Sequence, residues 1–301
     1  MLLKSLGALF ISLTGIAKAQ TPTNNSSQTN PYTSQYGLGF SNIGGKVLSG
    51  YVNAYVIFYG DWSSDNGTTD QKTFLNFIDG VYSTSWFSIL DQYSDNSGPG
   101  ATRSLNLAAA INDKGSQGFE LSDHNTHKNI VLGAVQSGYL SENNQLDPDG
   151  IYIIVAGKDV NDSEFCNRNC GYNSYSDLFQ YVFIGYPGHC PMKCIPEINR
   201  NSSPNNSPSV DAQVTILSHE LQDILTDPRN DAWVIGKNGN GEIFELGDFC
   251  LNDKTDQTTW FGTLKQTENK GSYNLVVSDT NKYLVTSIYS KQKNACLISN
   301  E

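Results

Sequence analysis

The sequence predicts a mixed α/β fold, a mixed sheet with flanking helices in a single disulfide-braced domain, and three observations carry that expectation. Two apolar runs, Tyr51–Phe58 and Ile151–Ala156, have the β-branched and aromatic content of strands. The second is so nearly wholly apolar that it reads as a strand buried on both faces. Apolar residues also recur at helical spacing, most regularly at Val214, Leu217, Leu221 and Ile224. Beyond Cys250 the pattern changes to strand-like segments at Tyr273–Val277 and Tyr283–Tyr289. Helices and strands that interleave early, with strands dominating late, fit layers built around one sheet.

The elements follow in order. Tyr51–Phe58 ends at Tyr59-Gly60-Asp61-Trp62. Asp70–Tyr82 reads as a helix with Phe74, Phe77, Ile78 and Val81 on one face. Ser85–Tyr93 reads as a second helix or helical turn, and His127–Ser137 as a further helix. Asp147-Pro148-Asp149-Gly150 is a turn that opens into the strand Ile151–Ala156. Tyr181–Ile184 is a short strand, and a Ser/Asn/Tyr-rich loop is expected before it. Asn, Ser and Pro dominate 197–209, which reads as a loop. Val210–Leu225 is then a helix, with Ser209 or Asp211 able to cap it and Pro228 to end it.

The N-terminus reads as an export signal. Lys4 precedes an apolar core from Leu6 to Ile16, and Ala17-Lys18-Ala19 offers small residues at a cleavage site. A membrane span needs about 20 apolar residues, so cleavage is expected and stable membrane insertion is not. Residues 1–19 are thus read as a signal peptide, 20–37 as a flexible polar arm and 38–301 as the folded domain. The whole chain has 19 basic and 30 acidic side chains; without Lys4 and Lys18 the balance is 17 − 30, or −13. Such a charge argues against nucleic acid as a partner and is compatible with cation binding. Secretion, to the extracellular space or cell wall, makes the Asn-x-Ser/Thr sequons at Asn24, Asn25, Asn66, Asn161, Asn201 and Asn205 glycan candidates. Asn201 and Asn205, in an evident loop, are the best placed.

Six cysteines stand at 166, 170, 190, 194, 250 and 296. In an oxidising compartment they are expected as three disulfides. Local pairing of Cys166 with Cys170 and Cys190 with Cys194 is the first expectation, leaving Cys250 for Cys296. Crossed pairing between the two C-x-x-x-C units is its rival, and a zinc site made by the clustered cysteines is the functional alternative.

The chemistry-bearing segment is Ser218-His219-Glu220-Leu221-Gln222-Asp223. Residues four apart on a helix point the same way, so His219 and Asp223 could grip one metal ion. Glu220 would then be placed as general base, following the logic of the H-E-x-x-H helix, with Asp223 in place of the second histidine. Glu245 and Asp248, just before Cys250, are the best source of further ligands. Zinc is the expected ion and calcium the alternative. The competing reading is a solvated acidic face on an amphipathic helix. Asp227 before Pro228 reads as turn chemistry. His124 and His127 read as helix-start residues before a metal pair, and His189 as a loop histidine. There is no G-x-S-x-G elbow and no phosphate-binding loop.

Several motifs occur in one order. They are Tyr51–Trp62 (YVNAYVIFYGDW), Asp149–Val155 (DGIYIIV) with Lys158-Asp159-Val160, Phe165–Gly171 (FCNRNCG), Tyr181–Gly185 (YVFIG) and Cys190–Cys194 (CPMKC). In this order they resemble the EXORDIUM, or phosphate-induced protein 1, family from about residue 43 to Cys296. Ser207-Pro208, Asp211, His219-Glu220, Asp223, Thr226-Asp227-Pro228, Ala232-Trp233, Glu245, Asp248 and Cys250 look like that family's microbial and fungal branch. The resemblance implies that the helix and the Glu245–Asp248 segment form one metallopeptidase-like unit, with a zincin-like active-site helix. Tyr172-Asn173 departs from a Trp-His pair in the pattern, and Asp223 from a glutamate. Plant members largely lack the His-Glu pair and look like extracellular growth-related proteins. Two functions are therefore expected: a metal-dependent hydrolase acting outside the cell, or a non-enzymatic extracellular or cell-wall protein. The second would bind a polysaccharide or protein partner in growth or host interaction, with the 16 tyrosines and 4 tryptophans as stacking surfaces.

Overall fold

The computed structural model describes residues 40–63, 66–141, 143–237, 243–251 and 258–300. The expected signal peptide, the polar arm and the sequons at Asn24 and Asn25 lie outside these residues. The long apolar run becomes strand β1 (Tyr51–Tyr59), followed by helix α1 (Gly67–Val81) and strand β2 (Ser104–Asp113). Helix α2 (His124–Gln136) leads to β3 (Ile151–Ala156), β4 (Gly171–Tyr175) and β5 (Gln180–Ile184). Helix α3 (Pro208–Thr226) and the single turn α4 (Leu246–Phe249) complete the part that builds the site. The five strands form one sheet in the order β2-β1-β3-β5-β4. All neighbours are parallel except β4, which pairs antiparallel with β5.

Alternation along the strands explains the layering. Val52, Ala54, Val56 and Phe58 of β1 and Ile151, Ile153 and Val155 of β3 share one core with α1 and α3. Ile57, Tyr59, Tyr152, Ile154 and Phe183 share the other with α2. Both faces of the central strands are covered, which is why β3 is apolar at every position. Leu217 of α3 is wholly buried in the first core. Leu217→Ala is expected to destabilise the fold by about 2–5 kcal/mol; a urea melt with unchanged midpoint would contradict this packing.

Four expectations need correction, and strand β2 has no counterpart among them. The Ser/Asn/Tyr segment is strand β4, not a loop: its backbone pairs with β5 through the register Gly171↔Ile184 to Tyr175↔Gln180. Strand β2 carries no signal as strong as β1 because it is an edge strand, half-exposed and Ala-rich. Neither Ser209 nor Asp211 caps α3; Ser207 holds that position, Pro208 is the first helical residue, and Asp211 instead accepts hydrogen bonds from the Asn205 backbone and amide. The region 197–209 also contains a helical turn at Glu197–Asn199.

The fourth correction concerns the cysteines. The bonds are Cys166–Cys190, Cys170–Cys194 and Cys250–Cys296. Local pairing fails because β4 and β5 are antiparallel neighbours. The segment entering β4 and the segment leaving β5 therefore run side by side at one end of the sheet, and the two bridges tie them together as rungs. Each rung closes a separation of 24 residues, far longer than the local alternative. In the chain-entropy picture that is worth about 3 kcal/mol for a single bridge. The same bonds remove the clustered cysteines as zinc ligands. Cys250–Cys296 ties α4 to the C-terminal ladder Ile288–Ser290/Ala295–Leu297. No helix among the described residues is long and apolar enough to cross a membrane.

Candidate metal centre

Helix α3 lies across the sheet with both its apolar and its polar faces covered. Glu220 and Asp223 are buried, so the acidic side of this helix is not a solvated face. The α4 turn covers it. Its N-cap, Glu245, and Asp248 form a reciprocal capping box, in which the Glu245 backbone N–H donates to Asp248 Oδ2 at 3.2 Å. The Gly247 backbone N–H donates to Asp223 Oδ1, joining turn to helix. Gly247 is required for this approach: a Cβ there would lie 2.8 Å from both Asp223 Oδ1 and His219 Nδ1. Strand β4 closes the other side. At Gly171 a Cβ would meet Ile216 at 2.5 Å, and Asn173 Nδ2 lies 3.4 Å from Glu245 Oε2.

The sequence-selected residues converge. His219 Nε2 is 3.4 Å from Asp223 Oδ2 and 3.8 Å from Asp248 Oδ1. One ligand atom each from His219, Glu220 and Asp223 fall within 4.8 Å of one another. Glu245 reaches the cluster from the turn. Asn173, which the residue pattern did not select as a site residue, also belongs to it. It occupies the position where the resembling pattern carries histidine, and that departure was the available signal.

The electrostatics are unusual. Burial, and then the neighbouring carboxylates, push Glu220, Asp223 and Glu245 well above ordinary carboxylate values. Burial raises Asp248 too, offset by His219, and burial lowers His219. The charges that act on Glu220, Asp223 and Glu245 are all other carboxylates. Glu220 Oε2 and His219 Nδ1 are buried without a hydrogen bond. Such a cluster is stable only with shared protons or a cation among the oxygens. The donor set fits a divalent ion. An imidazole nitrogen facing two carboxylates suits zinc, whereas calcium takes oxygen ligands in larger number.

The remaining candidates lie elsewhere. His127 Nδ1 is 2.7 Å from the Tyr172 hydroxyl, and its Nε2 is 3.3 Å from Asp162. His124 Nδ1 is 3.1 Å from the Tyr181 hydroxyl. These histidines form a buried polar network on the opposite face of the sheet. His189 is not in a loop as expected: it ends the helical turn Pro187–His189, and its Nε2 meets the Lys158 carbonyl. Asp227 does form a turn, with its Oδ1 accepting from the Asp231 and Ala232 backbone. Asn66, Asn161 and Asn201 are exposed, while the Asn205 amide donates to Asp211 and the Lys282 carbonyl.

Together the fold and the cluster define a disulfide-braced α/β protein with a buried His-carboxylate centre roofed by a single helical turn. Residues 41–299 match the phosphate-induced protein 1 conserved region, and the chain belongs to that family. Three similar relatives come from Arabidopsis thaliana. Protein EXORDIUM-like 5 is 25% identical, over 85% of this chain and 76% of its own length. Protein EXORDIUM-like 3 is 24% identical over 68% and 66%, and Protein EXORDIUM-like 1 is 23% identical over 89% and 91%. No solved structure matches the chain.

Proposed function

We propose that this protein is secreted and acts outside the cell as a zinc-dependent hydrolase, with His219, Asp223, Asp248 and Glu245 as the metal-holding set and Glu220 as general base. The supporting observation is the convergence of one imidazole with three buried carboxylates, Glu220, Asp223 and Glu245, and the partly exposed Asp248. Zinc held there would supply Lewis acidity to the bond under attack. Glu220 Oε2 has no competing hydrogen bond and is available to take a proton from the attacking water. The Gly247 N–H fixes Asp223 in orientation, and Asn173 steadies Glu245. The three disulfides are compatible with an oxidising, extracellular setting.

Elemental analysis of protein purified without chelator tests the metal directly. About one zinc per chain is expected, falling to near zero in His219→Ala. Calcium alone would replace the hydrolase with a structural ion site, and no divalent ion in either sample would end the metal reading.

A further inference from the structure

A second site lies at the other end of α3. Chain topology marks the place. From β1 the chain passes through α1 to β2 on one side, and later reaches β3 on the other side of β1. Between two such strands of an open parallel sheet, the crevice beyond their carboxyl ends is where ligands characteristically bind. Here that crevice is a cavity of about 140 Å³ lined by Asp61, Trp62, Asp70, Gly157, Lys158 and Tyr186. Val210, in the first turns of α3, also borders it. His219 lies nine residues further on, about 14 Å along the helix.

The cavity is built around Trp62. Its ring is anchored edge-on against Phe58, with centroids 4.9 Å apart, and the side chain is only 9% exposed. Its indole N–H is buried and makes no hydrogen bond. Three close backbone approaches hold this arrangement. Gly67, opening α1, sits on the Trp62 carbonyl, where a Cβ would come within 1.8 Å. Gly60, at φ +100°, leaves room for Asp159, whose Oδ1 accepts from the Asp61 N–H at 2.9 Å. At Gly157 a Cβ would stand 3.3 Å from Trp62 Nε1, so glycine keeps a side chain off this edge of the indole. A buried donor left without an acceptor carries a desolvation cost that a ligand acceptor would recover.

The lining restricts the ligand class. An indole N–H donates and cannot ligate a cation, and the Lys158 ammonium in the lining opposes one. Asp61 and Asp70 oppose an anion, and the polar lining opposes a purely apolar guest. What fits is a neutral molecule with an acceptor for Trp62, hydroxyl donors for the two carboxylates, and carbon–hydrogen surface for the Tyr186 ring. We infer that the crevice between the ends of β1 and β3 binds one neutral sugar unit, with the Trp62 N–H, Asp61 and Asp70 as its hydrogen-bonding groups. This site is independent of the metal centre and stands whether or not that centre is catalytic.

The test is calorimetric titration of the full secreted chain with the methyl glycosides of glucose, mannose, galactose, xylose and arabinose, and with N-acetylglucosamine. Enzymatically deglycosylated protein is used, because the sequon residue Asn66 stands at the cavity rim. Saturable binding of at least one sugar is expected. Trp62→Phe, which keeps an aromatic ring against Phe58 but removes the indole N–H together with its five-membered ring, should weaken it about tenfold. Asp70→Asn, in the first turn of α1, should weaken it as well without depending on the tryptophan's role in folding. His219→Ala should leave it unchanged. No saturation with any of the sugars at tens of millimolar overturns the inference. So does binding that both Trp62→Phe and Asp70→Asn leave intact, or phosphate binding in place of sugar.

Discussion

Glu220→Gln is expected to lower hydrolytic turnover by about 10²–10⁴-fold while leaving bound zinc in place. The amide matches the carboxylate in shape but cannot accept a proton. Glu220 is 3% exposed, and its Oε2 is free of hydrogen bonds. Burial, with Glu245 and Asp248 nearby, makes it a stronger base than a surface glutamate. A general base is most effective when its pKa lies near the working pH, and an upward shift moves a carboxylate in that direction. The measurement is turnover on whichever substrate the wild-type chain cleaves, drawn from a panel of unfolded proteins and polysaccharides, alongside zinc content. Full turnover in the variant would remove Glu220 from the chemistry. Loss of zinc would make it a ligand instead, a role its closeness to His219 and Asp223 also permits.

What was legible in the sequence depended on whether the signal was local. Ile151–Ala156 and the α3 periodicity were readable because each is buried by its own composition. His219 and Asp223 were readable because helical spacing alone puts them on one face. Strand β2 was not, since an edge strand needs no continuous apolar run. Strand β4 was not, since its polar residues serve two different surfaces. Tyr172 points into the α2 core while Asn173 meets Glu245, and neither role shows in a Ser/Asn/Tyr stretch. The disulfides misled for the same reason. Four-residue spacing suggests proximity, and Cys190 and Cys194 sulfurs do lie 3.3 Å apart. Only the antiparallel pairing of β4 with β5 brings better partners alongside. Burial of the acidic face of α3 was likewise a tertiary fact, because it depends on the α4 turn folding back over the helix. The resemblance to the family supplied that link between His219 and the Glu245–Asp248 segment, which spacing could not.

Chelation is expected to lower the melting temperature by roughly 5–15 °C at pH 7.5. A ligand present at 100 to 1,000 times its dissociation constant stabilises by about 2.7–4.1 kcal/mol. In a domain of this size each kcal/mol corresponds to about 2–4 °C. The pH dependence of the chelated protein is the sharper measurement. Glu220, Asp223, Glu245 and Asp248 have folded-state pKa values raised above those of the unfolded chain. The folded state therefore holds more protons than the unfolded one through the weakly acidic range. Stability from these groups is fully present below the unfolded carboxylate pKa and is lost as pH rises through the folded values. Asp70 and Asp211, raised by burial, act in the same direction. His219 and His124, lowered by burial, act the other way, but two imidazoles stand against six carboxylates. The metal-free protein should thus melt at a higher temperature at pH 5.5 than at pH 7.5. The zinc-loaded protein should show a flatter or opposite trend over the same interval, because protons compete with the metal for the same oxygens. Parallel melting curves with and without chelator across that range would show that the buried carboxylates are stabilised by something other than a cation.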